Sequence, residues 1–251
     1  MKKGLVGTSL GNLISTNRST DDLSTILSKT MKMPFSEKEC SGCGTCSTVC
    51  PSNAIDTSDG WSIDVGKCIF CMECVRSCNC DAIGLIEAPT YVTDRERLIF
   101  KRGESSIRET PLLDEEIRRS IGRSISIREV DTGSCNACDV EVNSLFNQFF
   151  DAERFGVKVV ASPRHADVLL MTGPLTENMY EAFIDVMNST PDPKIIVAMG
   201  TCAISGGIFS EGNIIGNGIN ETTHVDIFIP GCPPSPGILI KSLVSAFGLT
   251  K

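Results

Sequence analysis

Ile125-Ser-Ile-Arg-Glu-Val130-Asp-Thr-Gly-Ser-Cys135-Asn-Ala-Cys138-Asp-Val-Glu141 is the stretch whose reading decides the fold. A strand-like run, Ile125–Val130, stops at Asp-Thr-Gly, a turn signal, and two cysteines follow before a helical pattern over about Val140–Phe150. Working outward, strand-like runs recur at Val157–Ala161, Val168–Thr172, Lys194–Met199 and Val225–Ile229. Helical patterns lie at about Glu177–Asn188 and Ser235–Phe247. Strands alternating with helices predict an open parallel α/β sheet of the flavodoxin-like kind, covered on both faces. Cys202 follows the run Lys194–Met199 and Cys232 follows Val225–Ile229, so four cysteines sit just past carboxyl ends of strands. Open α/β sheets gather their sites there. Four thiols in one crevice suggest a 4Fe–4S cluster, while zinc or coincidence stays open on these residues alone.

The other nine of the thirteen cysteines fall within residues 36–87, in an internal repeat. Cys40-Ser-Gly-Cys43-Gly-Thr-Cys46-Ser-Thr-Val-Cys50 recurs as Cys68-Ile-Phe-Cys71-Met-Glu-Cys74-Val-Arg-Ser-Cys78, and Ala54-Ile55 recurs as Ala82-Ile83. The run C-x2-C-x2-C-x3-C-P is a 4Fe–4S ligand signature whose fourth cysteine serves the other cluster. The crossing predicts one cluster on Cys40, Cys43, Cys46 and Cys78, and a second on Cys68, Cys71, Cys74 and Cys50. Asn79 stands where a proline is usual, and Cys80 follows it. Cys80 aligns with Ser52 and Cys78 with Cys50, so Cys78 is the expected ligand and Cys80 a free thiol beside it.

Hydrophobic residues make up 41% of the 251, which excludes a disordered chain, and the length suffices for a core without disulfide staples. The formal charge of −8 argues against a nucleic-acid partner. A bilayer-spanning helix needs about 20 apolar residues, and the apolar runs here are far shorter. The start of the chain has no apolar leader, so an intracellular protein that uses its thiols for metal or redox chemistry is expected. Residues 1–35 read as a polar arm with a short helix near Asp21–Thr30, either loosely ordered or a docking segment. Residues 88–124 read as a charged connector with one exposed helix around Leu112–Ile121. The expected division is therefore 1–35, 36–87, 88–124 and 125–251.

Residues 36–87 resemble bacterial-type two-cluster ferredoxins, which implies a small α+β ferredoxin-like domain ahead of the α/β domain. Gly-Ser-Cys135-Asn-Ala-Cys138-Asp-Val-Glu141, Ser162-Pro-Arg-His165, Gly200-Thr-Cys202 and Pro230-Gly-Cys232-Pro-Pro234 resemble motifs of nickel–iron hydrogenase small subunits. The likeness is to the energy-converting, formate hydrogenlyase group, homologous to the 20 kDa-type subunit of complex I. The complex I subunit has adjacent cysteines in the first motif, whereas two residues separate Cys135 from Cys138. The resemblance implies a third 4Fe–4S cluster on Cys135, Cys138, Cys202 and Cys232. It further implies an electron-transfer subunit of a membrane-associated complex, peripheral to the inner face of the cytoplasmic membrane. Its partners would be a hydrogenase-like large subunit, membrane subunits, and a ferredoxin or dehydrogenase as electron donor or acceptor. Nickel would sit on the large subunit rather than on this chain. The alternative is a subunit of a complex I-like quinone or sulfur reductase. Glu141 is either a first-turn charge on a helix or a carboxylate serving proton movement, and Arg164 and His165 are either loop caps or donors that tune the third cluster. Each bound 4Fe–4S site would add about −2, bringing the chain near −14.

Overall fold

The computed structural model describes residues 30–104, 113, 115, 118, 119, 122 and 124–249. Apart from Thr30, the helix expected near Asp21–Thr30 lies outside these residues, as does most of the stretch Leu112–Ile121.

The first half is built twice on one plan. Helix α1 (Thr45–Thr48) and helix α2 (Glu73–Arg76) follow the matching cysteine loops and are each four residues long. Strand β1 (Lys32–Ser36) pairs antiparallel with β4 (Ile83–Glu87). Strand β2 (Ile55–Asp56) pairs antiparallel with β3 (Ser62–Asp64). Positive φ recurs at equivalent places: Gly42 and Phe70, Gly44 and Met72, Asn53 and Asp81. The loop shape is thus preserved where the second copy has lost its glycines.

Two expected boundaries move. Residues 32–35, assigned to the arm, belong to β1, because Met33 and Phe35 bury their side chains in the core. Part of the connector is also structural. Strand β5 (Ile99–Lys101) joins β3 to complete a three-stranded sheet, and Tyr91, Val92, Leu98 and Phe100 are buried. Charged side chains masked this role in the sequence. Arg95, for example, makes a two-pronged ion pair with Asp64, at 2.7 and 2.9 Å.

The second half is the expected sheet. Strands β6 (Ile125–Asp131), β7 (Val157–Val159), β8 (Val168–Thr172), β9 (Ile195–Met199) and β10 (Ile227–Ile229) are all parallel, in the order β10-β9-β8-β6-β7. This is the flavodoxin-like order. Strands β8 and β9 are buried along their whole length, as central strands of a doubly covered sheet should be. Helix α3 (Ala137–Ser144) is shorter than the Val140–Phe150 pattern suggested. The Asn147 side chain accepts from the N–H groups of Phe149 and Phe150 and sets up a turn there instead. Helix α4 (Tyr180–Ser189), helix α5 (Gly200–Ser205) and helix α6 (Pro236–Phe247) complete this half.

The two halves share a core. One buried cluster runs from Met33, Phe35 and Ile63 to Leu169, Met171, Ile204 and Phe228. A second, with Leu145, Leu239 and Leu243, fills the opposite face of the sheet. Val92 also exchanges backbone hydrogen bonds with Phe228 across the junction.

Candidate metal centres

Register brings the late cysteines together. Asp131 lies beside Thr172, Thr172 beside Met199, and Met199 beside Ile229, so the carboxyl ends of β6, β8, β9 and β10 form one row. Cys135, Cys202 and Cys232 follow that row within four residues of their strands, and Cys138 lies in the first turn of α3. Burial is the largest influence on the Cys138 thiol and pushes it well up, and the charges of Cys202, Asp139, Cys135 and Cys232 add to the rise. Cys202 is pushed up to about 12 by burial, with Cys232 and Cys135 contributing. Four thiols that repel one another as thiolates in a half-buried place suit a cationic group bound among them.

Close approach is built into the backbone here. Gly200 has a φ of +84°, and a Cβ there would stand 2.8 Å from Cys138 Sγ. Gly207 likewise passes close to Cys202 Sγ. Asp139, beside Cys138, ties the site to the sheet: it accepts from Ser134 Oγ and, at 3.0 Å, from Thr172 Oγ1. Burial alone would raise the Asp139 carboxyl, but bonds from Ser134, Glu129 and Thr172 hold it below the usual range. Glu129, on β6, faces it. Burial, then the Asp139 hydrogen bond and charge, push Glu129 up to about 8.

The early cysteines form two sets. Cys50, Cys68, Cys71 and Cys74 line one pocket, together with Pro34, Ile55 and Ile63. Cys68 is pushed up to about 12 by burial, with Cys74, Cys50 and Cys71 adding charge repulsion. This is the crossed grouping, with Cys50 contributed by the first repeat. The other set is more open. Cys46 is buried and feels Cys40, while Cys43 is exposed. Cys78 lies beside Cys80, sulfur to sulfur 3.7 Å, and Ser41 Oγ donates to Cys80 Sγ at 3.9 Å. The Cys78–Cys80 segment therefore abuts the loop between Cys40 and Cys43. Backbone amides point at sulfur in matching places: Gly42 N–H at Cys40 and Phe70 N–H at Cys68, both at 3.4 Å. Such amide–sulfur bonds are a known lever on cluster potential. Among the described residues no three His, Cys, Asp or Glu side chains close on a single-ion site. The pocket bordered by Cys50, Cys68, Cys71 and Cys74 gathers four thiols, a donor set that suits a polynuclear group.

Two sequence expectations change. Glu141 is in the second turn of α3, since the helix begins at Ala137, and Asp139 takes the first-turn position. Burial raises the Glu141 carboxyl. Arg164 and His165 form a 3₁₀ turn just before Asp167, whose carboxylate accepts from Ser126 N–H at the start of β6. They stand by the amino end of β8, about 13 Å of strand rise from Thr172 at its carboxyl end, whereas the late cysteines follow the carboxyl ends. The crossover from the short edge strand β7 carries them back along the sheet. Reasoning from sequence missed Glu129 and Asp139. Asp139 adjoins a cysteine of the motif, but Glu129 gave no signal because its partner is ten residues on and across a turn.

The arrangement defines a class of protein, one that gathers cysteine thiols at the carboxyl edge of an α/β sheet. The family model described as NADH ubiquinone oxidoreductase, 20 Kd subunit, matches residues 135–246, and a 4Fe-4S binding domain model matches residues 33–56. A probable membrane-bound hydrogenase subunit of Pyrococcus furiosus is 44% identical over 131 residues, 52% of this chain and 78% of that one. Formate hydrogenlyase subunit 7 of Escherichia coli is also 44% identical over 131 residues, 52% of this chain and 51% of that one. An NADH-quinone oxidoreductase subunit of Geobacter metallireducens is 40% identical over 107 residues, 43% of this chain and 62% of that one. The chain belongs to this 20 Kd subunit family, and its 4Fe-4S match indicates electron transfer. No helix among the described residues is long and apolar enough to cross a membrane.

Proposed function

We propose that the chain is the electron-transfer subunit of a membrane-associated nickel–iron hydrogenase-type complex. It would fuse a two-cluster ferredoxin unit to a small-subunit domain. The observation that carries this reading is the convergence of Cys135, Cys138, Cys202 and Cys232 from three loops along one sheet edge, alongside the crossed grouping of Cys50 with Cys68, Cys71 and Cys74. Bound 4Fe–4S groups supply reversible one-electron storage. The chain's residues hold them in order. Cys40, Cys43, Cys46 and Cys78 form a more open set than Cys50, Cys68, Cys71 and Cys74, which line a pocket. The third set lies at the α/β edge. Electrons would enter from a ferredoxin or dehydrogenase and leave to a catalytic large subunit, which holds the nickel. Docking to membrane subunits would place the chain at the inner face of the cytoplasmic membrane. Glu141, half-buried one turn from Cys138, is the proposed carboxylate for proton movement.

Metal analysis and EPR on the co-purified complex test this. The expected result is about twelve iron atoms on this chain, and nickel with the large subunit. About eight iron atoms would remove the α/β cluster. Quinone or sulfur reduction by a complex lacking nickel would favour the complex I-like alternative, for which the likeness to the Geobacter metallireducens protein speaks. Glu141→Gln with intact cluster signals and unchanged turnover would end the proton role.

A further inference from the structure

Helix α5 meets the second cysteine loop through two hydroxyls one turn apart. Thr201 Oγ1 lies 2.8 Å from the carbonyl oxygen of Cys68, and Ser205 Oγ lies 2.9 Å from that of Gly66. Both donors are buried. Gly66 permits the approach, because a Cβ there would stand 2.8 Å from Ile204. Thr201 Oγ1 is also 3.1 Å from Gly231 O, but that oxygen already accepts the Thr201 N–H at 2.8 Å. The hydroxyl has one proton to give, and the Cys68 oxygen is the nearer of its two acceptors.

Thr201 immediately precedes Cys202, and Gly231 immediately precedes Cys232. A single residue thus joins the backbone of Cys68, in the pocketed set, to two cysteines of the α/β site. We propose that the Thr201 hydroxyl, bonded to the Cys68 carbonyl and covalently next to Cys202, is the bridge for electron exchange between the second and third cysteine sites. The inference rests on the reading that both sites hold clusters. One electron leaves the site of Cys68, which is oxidised, and enters the site of Cys202, which is reduced. No bond is made or broken, and no proton is transferred. Thr201 is a positioning residue, since it touches the ligand backbone rather than the reacting group. The order that follows is first set, second set, third set.

The test is pulsed reduction of the full, iron-loaded chain by photoreduced deazaflavin, with freeze-quench EPR of each site and iron analysis. Thr201→Val and Thr201→Ala remove the donor. Either one, at full iron content and unchanged potentials, should slow reduction of the third site several-fold, and Thr201→Ser should restore the rate. Ser205→Ala removes the neighbouring donor, which touches no cysteine, and should leave the rate as it was. An unchanged rate in an iron-replete Thr201→Val or Thr201→Ala chain overturns the proposal. So does equal slowing by Ser205→Ala. If neither Thr201→Val nor Thr201→Ala holds iron while Ser205→Ala does, the hydroxyl serves assembly and the proposal also falls. An unaltered chain lacking iron in its α/β half would instead remove the underlying reading.

Discussion

The cysteine repeat and the α/β edge gather the same kind of side chain by opposite means. In the repeat, three cysteines of each set lie two residues apart, and left-handed residues at Gly42, Gly44, Phe70 and Met72 turn the loop around them. At the α/β edge the cysteines are spread over nearly a hundred residues of chain, and parallel register aligns the strands that carry them. A local site depends on loop conformation. A topological site depends on the whole sheet, and on small residues where separate loops pass each other.

The sharpest way to break that contrast is at Gly200. Its left-handed φ and a Cβ position 2.8 Å from Cys138 Sγ leave no place for a side chain. Gly200→Ala should cost the third site, lowering iron from about twelve to about eight while signals of the repeat persist. Loss of all iron would show that the repeat depends on the sheet as well. Next comes the pair of neighbouring sulfurs. Cys78→Ala should remove about four iron atoms and Cys80→Ala none. The reverse pattern would hand the ligand role to Cys80, whose sulfur is within 3.7 Å.

A smaller effect compares the two copies of the loop. Gly44 and Met72 share a left-handed conformation that costs a side-chain-bearing residue about 1–2 kcal/mol. Gly44→Ala should destabilise by about that much in chemical denaturation. Met72→Gly should change stability by less than about 1 kcal/mol, because relief of strain is offset by the greater freedom of glycine in the unfolded chain. A large loss in Met72→Gly would mean that the Met72 side chain, which lines the pocket of the second set, matters more than its backbone.

The smallest expected effect lies behind the α/β site. Glu129 keeps its proton in the folded chain up to about pH 8, against a usual value of 4.5. Between those values the folded state binds a proton that the unfolded state has released, so this group makes stability fall as pH rises. Glu129→Gln should flatten that part of the slope. Urea midpoints at pH 5 and pH 9 should differ less in the variant than in the unaltered chain. An equal difference would place the Glu129 carboxyl in contact with water rather than with Asp139.

Much of this was legible beforehand because it is periodic or local. Strand β8 coincides with the run Val168–Thr172, β6 gains Asp131 at its end, and β7, β9 and β10 are trimmed. Asp226, expected within β10, uses its carboxylate to accept from Ile196 N–H instead. The repeat was legible because its ligands are neighbours in sequence. Its connector was not: Leu98 and Phe100 lie in a charged stretch with no clear period, and pairing with β3 decides their burial.

The sequence by itself determined which side chains could hold metal, and the strand–helix alternation that leads to a parallel sheet. Those depend on residue type and spacing along one chain segment. Tertiary structure alone decided which sets face one another. It put Arg164 and His165 at the far edge of the sheet, brought Glu129 against Asp139, and set the Thr201 hydroxyl on the carbonyl of Cys68. Each of these is a meeting of separate segments, fixed by strand order, register and the packing of α5 on a glycine-containing loop. No spacing rule within one segment carries that information.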